Sequence, residues 1–146
     1  MENPLNLKVY TDGGARGNPG PAAVGIVIEG LGSVKKYGEY IGEKTNNEAE
    51  YRAVITALKK LKQLIGSDKS DQAKINFFVD SELLVKQLNG EYKVKEKSLQ
   101  NLFVEIWNLK LDFKEVTFTH ILREKNKEAD KLVNEALDQE ANKLDL

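Results

Sequence analysis

At Asn46 the apolar pattern of the chain changes from alternation to a helical period, and the two patterns then take turns to the C-terminus. That succession of strands and helices limits the fold more than any other property. In Leu5–Asp12, Leu7, Val9 and Thr11 share one face and Lys8, Tyr10 and Asp12 the other. Ala22–Glu29 and Val34–Ile41 are β-rich runs separated by Gly30-Leu31-Gly32-Ser33, so the first forty residues read as an antiparallel meander. Asn46–Ile65 carries the stripe Val54, Ala57, Leu58, Leu61, Leu64 and Ile65 and ends at Gly66-Ser67-Asp68. A strand over Ile75–Asp80 follows, then helices over Ser81–Leu88 and Ser98–Leu111, a strand over Val116–Leu122 and a helix over Asn126–Glu140. The order β-β-β-α-β-α-α-β-α predicts one α/β domain over residues 1–146, with a tail after Glu140 free to fray. In the third helix Trp107, at apolar spacing with Phe103, Val104 and Leu111, is expected in the core.

Four carboxylates stand at the edges of four of these elements. Asp12 and Asp80 each close a strand, and the carboxyl ends of strands are where ligands bind in open α/β sheets. Tyr10 precedes Asp12 by two residues and Phe78 precedes Asp80 by two, so parallel neighbours in matching register send both acids out on one face at one end. Glu50 lies near the centre of the first helix's apolar stripe, whereas Glu48, Arg52 and Lys59 lie away from it. A carboxylate aimed at a core needs a metal, a basic group or hydrogen-bond donors. Asp130 borders the stripe Ala129, Leu132, Val133, Ala136 and Leu137 of the last helix. The set has the layout of a divalent-metal site.

Composition removes rival chemistries. The chain has no cysteine and a single histidine, which excludes disulfides, thiol nucleophiles and zinc held by several imidazoles. No apolar run approaches the roughly 20 residues of a spanning helix, and Met1-Glu2-Asn3-Pro4 lacks the character of a signal peptide, so a cytoplasmic protein without membrane partners is expected. A net charge of −1 argues against grip on nucleic acid by bulk electrostatics. The loop Gly13-Gly14-Ala15-Arg16-Gly17-Asn18-Pro19-Gly20 has neither a GK[ST] ending nor G-x-G-x-x-G spacing, which sets nucleoside triphosphates and dinucleotides aside.

Taken together, four blocks resemble the type 1 ribonuclease H family over nearly the whole chain. They are Tyr10-Thr11-Asp12-Gly13-Gly14 with Arg16-Gly17-Asn18-Pro19-Gly20, Thr45-Asn46-Asn47-Glu48-Ala49-Glu50, Val79-Asp80-Ser81, and Asn126-Lys127-Glu128-Ala129-Asp130. The resemblance implies a mixed five-stranded sheet, an antiparallel three-stranded meander plus two parallel strands, flanked by helices. It implies that Asp12, Glu50, Asp80 and Asp130 hold Mg²⁺, with Mn²⁺ as substitute and two ions per site. The implied activity is endonucleolytic hydrolysis of the RNA strand of RNA–DNA hybrids by a monomer, leaving 5′-phosphate and 3′-hydroxyl ends. A non-catalytic binding module of the same fold and a nuclease for double-stranded RNA are the alternatives.

For substrate contact the resemblance points to Asn18, Thr45, Asn46 and Asn47, with Gly13, Gly14 and Arg16 of the glycine-rich loop approaching the minor groove. Thr45-x-x-Glu48 is also a capping box, and the two roles are compatible. His120, ten residues before Asp130, has the spacing of the family's mobile histidine but sits in a strand-like stretch, and Arg123 is the other candidate for that auxiliary role. The lysine-rich protrusion of some members is missing: only Gly90–Lys97 fills its place, leaving Lys86, Lys93 and Lys95 to grip the hybrid, and Glu82 adds a negative charge two residues after Asp80.

Overall fold

The computed structural model describes residues 5–144. Short turns join β1 (Leu5–Ala15), β2 (Gly20–Glu29) and β3 (Lys35–Lys44), so these strands pair antiparallel. Helices intervene before β4 (Ala73–Val79) and β5 (Glu115–His120), and the pairs β1/β4 and β4/β5 are parallel. The sheet order is β3-β2-β1-β4-β5. Around it lie α1 (Asn46–Ile65), the single turn α2 (Ser67–Ser70), α3 (Glu82–Leu88), α4 (Lys97–Lys110) and α5 (Lys127–Leu144), with a 3₁₀ turn at Arg123–Lys125. The expected mixed sheet is the one observed.

Strand alternation sorts the residues between two faces. Leu7, Val9, Val24, Ile26, Ile28, Ile75 and Phe77 form the main core with Val54, Leu58 and Leu61 of α1 and Leu99, Leu102 and Ile106 of α4. Each such side chain contributes roughly 1.5–3 kcal/mol on burial. Ala23 packs on the opposite face with Val133, Ala136 and Leu137 of α5. The expected register also holds: Tyr10 pairs with Phe78, their rings stacked at 5.1 Å between centroids. β4 leaves the sheet after Val79 while β1 stays paired with β2 to Ala15. Asp12 and Asp80 therefore emerge where the two parallel strands part.

Several expectations need correction. β1 does not stop at Asp12 but carries Gly13, Gly14 and Ala15 within the strand, because β2 continues to offer partners there. The last helix does not stop at Glu140 but continues to Leu144. Trp107 is 55% exposed, and Val104 and Leu111 are exposed with it. α4 has apolar residues on two faces and docks on α1 through Leu99, Leu102 and Ile106, a choice its periodicity alone does not reveal. Leu64 of the α1 stripe is likewise exposed. Only the segment 89–96 joins α3 to α4, and no protruding helix lies there.

Candidate metal centre

Two glycines set how near the helical acids come to the sheet. A Cβ on Gly13 would overlap the carbonyl of Ala49, so this part of α1 lies directly on β1 and the next residue, Glu50, reaches the strand end. On the other face Gly25, the β2 partner of Asp12, stands under α5, where a Cβ would overlap the carbonyl of Ala129. Gly38, the β3 partner of Gly25, continues the row beneath Leu132. Each helical acid thus follows an alanine whose carbonyl fills the space of a missing side chain. Sequence reading missed Gly25 and Gly38, which look like ordinary residues of a β-rich run.

Carboxylate oxygens of Asp12, Glu50 and Asp80 lie within 4.8 Å of one another. Asp130 is outside that group. It is exposed, lines the same cleft as Asp12 and Glu50, and lies near enough for its charge to act on Asp12. The cleft, of about 350 Å³, is also lined by Gly14, Arg16, Asn46, Arg123 and Asn134. Burial, then the charges of Asp80 and Asp130, raise the Asp12 carboxyl from 3.8 to about 7. Glu50 is pushed well above its ordinary value, first by burial and then by the charges of Asp12 and Asp80, while the Gly13 backbone partly offsets this.

The donor set fits a hard divalent cation. It consists of oxygens only, which suits Mg²⁺ or Mn²⁺ rather than a soft metal. Glu50 as a residue is half-buried, yet its Oε2 is closed to solvent and has no hydrogen-bond partner. A buried carboxylate oxygen without a donor is costly, and a cation among the three acids removes that cost. No lysine or arginine is ion-paired to any of the four acids among the described residues.

The other predicted residues divide. Thr45 caps α1 in a complete capping box, its Oγ1 accepting from Glu48 N–H at 3.1 Å while Glu48 Oε1 accepts from Thr45 N–H at 3.0 Å. Asn46 Oδ1 accepts from Ala15 N–H at 2.9 Å, and Asn46 N–H donates to Asn18 Oδ1 at 3.0 Å, so both asparagines lace the β1–β2 turn to the start of α1. Asn47 is half-buried in the first turn. Gly13 lies against Ala49 of α1 and also lines the cleft, whereas Gly14, beside it on the lining, has only Val133 Cγ1 near, at 3.5 Å from a built Cβ. Arg16 pairs with Asp138 at 2.6 Å on the cleft wall. Lys86 is held by Glu82 at 3.0 Å and by the Tyr92 hydroxyl at 3.3 Å. His120 is exposed at the end of β5, opposite Val79, and is not part of the cleft lining; Arg123 is. Asn126, read from the sequence only as part of a motif, is 1% exposed and donates to Thr11 O at 2.8 Å and to Asp80 Oδ2 at 3.4 Å.

Residues 10–136 match a family model described as reverse transcriptase-like. A ribonuclease H1 isolated from compost by a metagenomic approach is 46% identical, with a TM-score of 0.86 over 94% of this chain and 99% of that one. The chain belongs to the ribonuclease H family, and its nearest features are those of type 1. The compost enzyme has also been solved in complex with an RNA/DNA hybrid, and that structure covers 92% of this chain at a TM-score of 0.86. Ribonuclease HI of Halobacterium salinarum is 41% identical over 134 residues, 90% of this chain and 64% of that relative. Bifunctional protein Rv2228c of Mycobacterium tuberculosis is 34% identical over 137 residues, 92% of this chain and 36% of that relative. The chain therefore spans less than two thirds of the length of these two relatives. No described helix is long and apolar enough to cross a membrane.

Proposed function

We propose that this chain is a metal-dependent endoribonuclease that hydrolyses the RNA strand of RNA–DNA hybrids, acting in the cytoplasm as a monomer with residues 1–146 as one ribonuclease H-like unit. The observation that carries the reading is the convergence of Asp12, Glu50 and Asp80, from two strand ends and a helix, to within 4.8 Å. A pure binder of a polyanion gains nothing from such a cluster. Asp12, Glu50, Asp80 and Asp130 would hold two Mg²⁺, replaceable by Mn²⁺. Bound there, the ions supply acidification of the attacking water and charge stabilisation at the leaving oxygen.

The chain's own groups place the hybrid. The amides of Asn18 and Asn46, whose Oδ1 atoms are taken by the backbone, keep their Nδ2–H donors for the sugar–phosphate chain at the start of α1. Gly14, open beside the cleft, lets the protein backbone approach the minor groove of the hybrid, where the 2′-hydroxyls mark the RNA strand. Asn47, Thr45, Arg16 and Lys86 complete the contact surface, the last two once exchanged from their surface ion pairs, which are weak in water. Arg123, on the cleft wall, takes the auxiliary role on a phosphate in preference to His120, which stands outside. Water attacks phosphorus and the P–O3′ bond breaks, so the products carry 5′-phosphate and 3′-hydroxyl ends and no residue is acylated or phosphorylated.

Incubation of purified protein with an end-labelled hybrid, in Mg²⁺, Mn²⁺ or chelator, tests the reading. Cleavage confined to the RNA strand and lost in chelator is expected, and Asp12→Asn should abolish it without loss of fold. Equal hybrid binding by wild type and Glu50→Gln with no cutting in any metal would instead make the chain a binding module.

A further inference from the structure

Asn126 touches the support of three of the four acids at once. Its side-chain Nδ2 donates to Thr11 O, one residue before Asp12, and to Asp80 Oδ2. Its backbone carbonyl accepts from Asp130 N–H at 3.1 Å and so sets the first turn of α5. The contacts lie where β4 has left the sheet and β1 continues alone on that side, so the amide bridges two strand ends that no ladder bond joins beyond Val79. Both side-chain partners are acceptors, which fixes the amide with nitrogen toward the acids. Its Oδ1 is left buried with no hydrogen-bond partner. A buried acceptor without a donor costs roughly 1–3 kcal/mol, so the orientation is held against a penalty rather than by default.

We infer that Asn126 is a positioning residue for the metal cup, clamping Asp80 to the β1 backbone so that the strand-end carboxylates stand at the spacing one cation can share. This rests on the hydrolase reading above and deepens it. The clamp acts through Asp80 and does not touch the substrate. Groups that orient metal ligands typically govern metal affinity by about 10–100-fold.

The test compares wild type, Asn126→Ala and Asn126→Leu, which is close in shape and uncharged but offers no amide donor. Mn²⁺ affinity is measured by calorimetry in the absence of hybrid, and Mg²⁺ dependence by hybrid cleavage. Both variants are expected to bind Mn²⁺ about tenfold or more weakly. They should need correspondingly more Mg²⁺ for half-maximal cleavage, with KM for the hybrid unchanged and the Ala variant largely recovered at high Mg²⁺. Wild-type Mn²⁺ affinity in both variants would overturn the inference. So would loss of the folded circular-dichroism spectrum in both, which would make Asn126 a residue of the fold alone. An inactive wild type that still binds Mn²⁺ through Asn126-dependent geometry would sink the hydrolase reading and spare the clamp.

Discussion

Replacing Asp12 by asparagine should stabilise the metal-free protein while destroying its activity. At about pH 8 the Asp12 carboxyl is ionised in the folded chain although its value there is about 7 rather than 3.8. A raised folded value means stability that is present below the unfolded value and lost as pH climbs through the folded one. At about 1.36 kcal/mol per pH unit, the difference comes to ~4 kcal/mol against the ionised state. Asparagine carries no charge and escapes the penalty, and it lightens the charge acting on Glu50 as well. Imperfect replacement of the carboxyl contacts brings a realistic gain to roughly 2–4 kcal/mol, or about 5–15 °C in melting temperature for a chain of this size. At about pH 5 the gain shrinks to near a third, and towards pH 3.5 it closes, because Asp12 is then protonated in both states. Thermal melts of both proteins in chelator across this range measure it. Added Mg²⁺ should raise the wild-type midpoint far more than that of the variant. An Asp12→Asn protein that melts at or below the wild-type temperature at about pH 8 in chelator would refute the crowding of charge on which the argument stands.

Gly25→Ala forces a Cβ into the Ala129 carbonyl and should cost about 1–3 kcal/mol, with a loss of cleavage beyond that expected from stability because α5 carries Asp130; Gly14→Ala, meeting only ordinary contact at 3.5 Å, should melt like wild type. Thr45→Ala removes the side-chain half of the capping box, the Oγ1 that accepts from Glu48 N–H, while leaving the backbone N–H that Glu48 accepts from, and should lower stability by about 1 kcal/mol in denaturant titration. Arg123→Ala should slow hybrid cleavage about tenfold or more while His120→Ala leaves it nearly unchanged, and the reverse order in steady-state rates would return the auxiliary role to His120. With Lys86 tied to Glu82 and no protrusion present, hybrid affinity should fall with salt on a shallow log–log slope, about 2–4 at roughly 0.9 per phosphate contact. A slope near ten would mean a basic surface the fold does not display.

Why the acids were legible and their supports were not follows from how each kind of residue is read. Asp12 and Asp80 end alternating runs, and Glu50 interrupts an apolar stripe, so each contradicts its surroundings in a way that one-dimensional periodicity exposes. The register of β1 with β4 followed from the equal offsets of Tyr10 and Phe78 from their acids, and the structure stacks those two rings. Gly25 and Asn126 contradict nothing locally. A glycine in a β-rich run has meaning only through what crosses above it, here Ala129 from a hundred residues away. An asparagine before a helix has the look of an ordinary cap until Thr11 and Asp80 arrive from two strands to take its amide. The same limit explains Trp107: two apolar faces on α4 are equally good in sequence, and the groove of α1 selects between them. The site is therefore specified in two layers. Carboxylates that strain against their own elements form the candidate metal cup, while small or amide side chains that strain against nothing fix the distances, Gly13 under Ala49 for Glu50, Gly25 under Ala129 for Asp130, and Asn126 across the strand ends for Asp80. Enlarging a member of the second layer should leave every acid in place in the sequence and still empty the cup of its cation, which is why metal affinity, more than activity, is the measurement that separates the two layers.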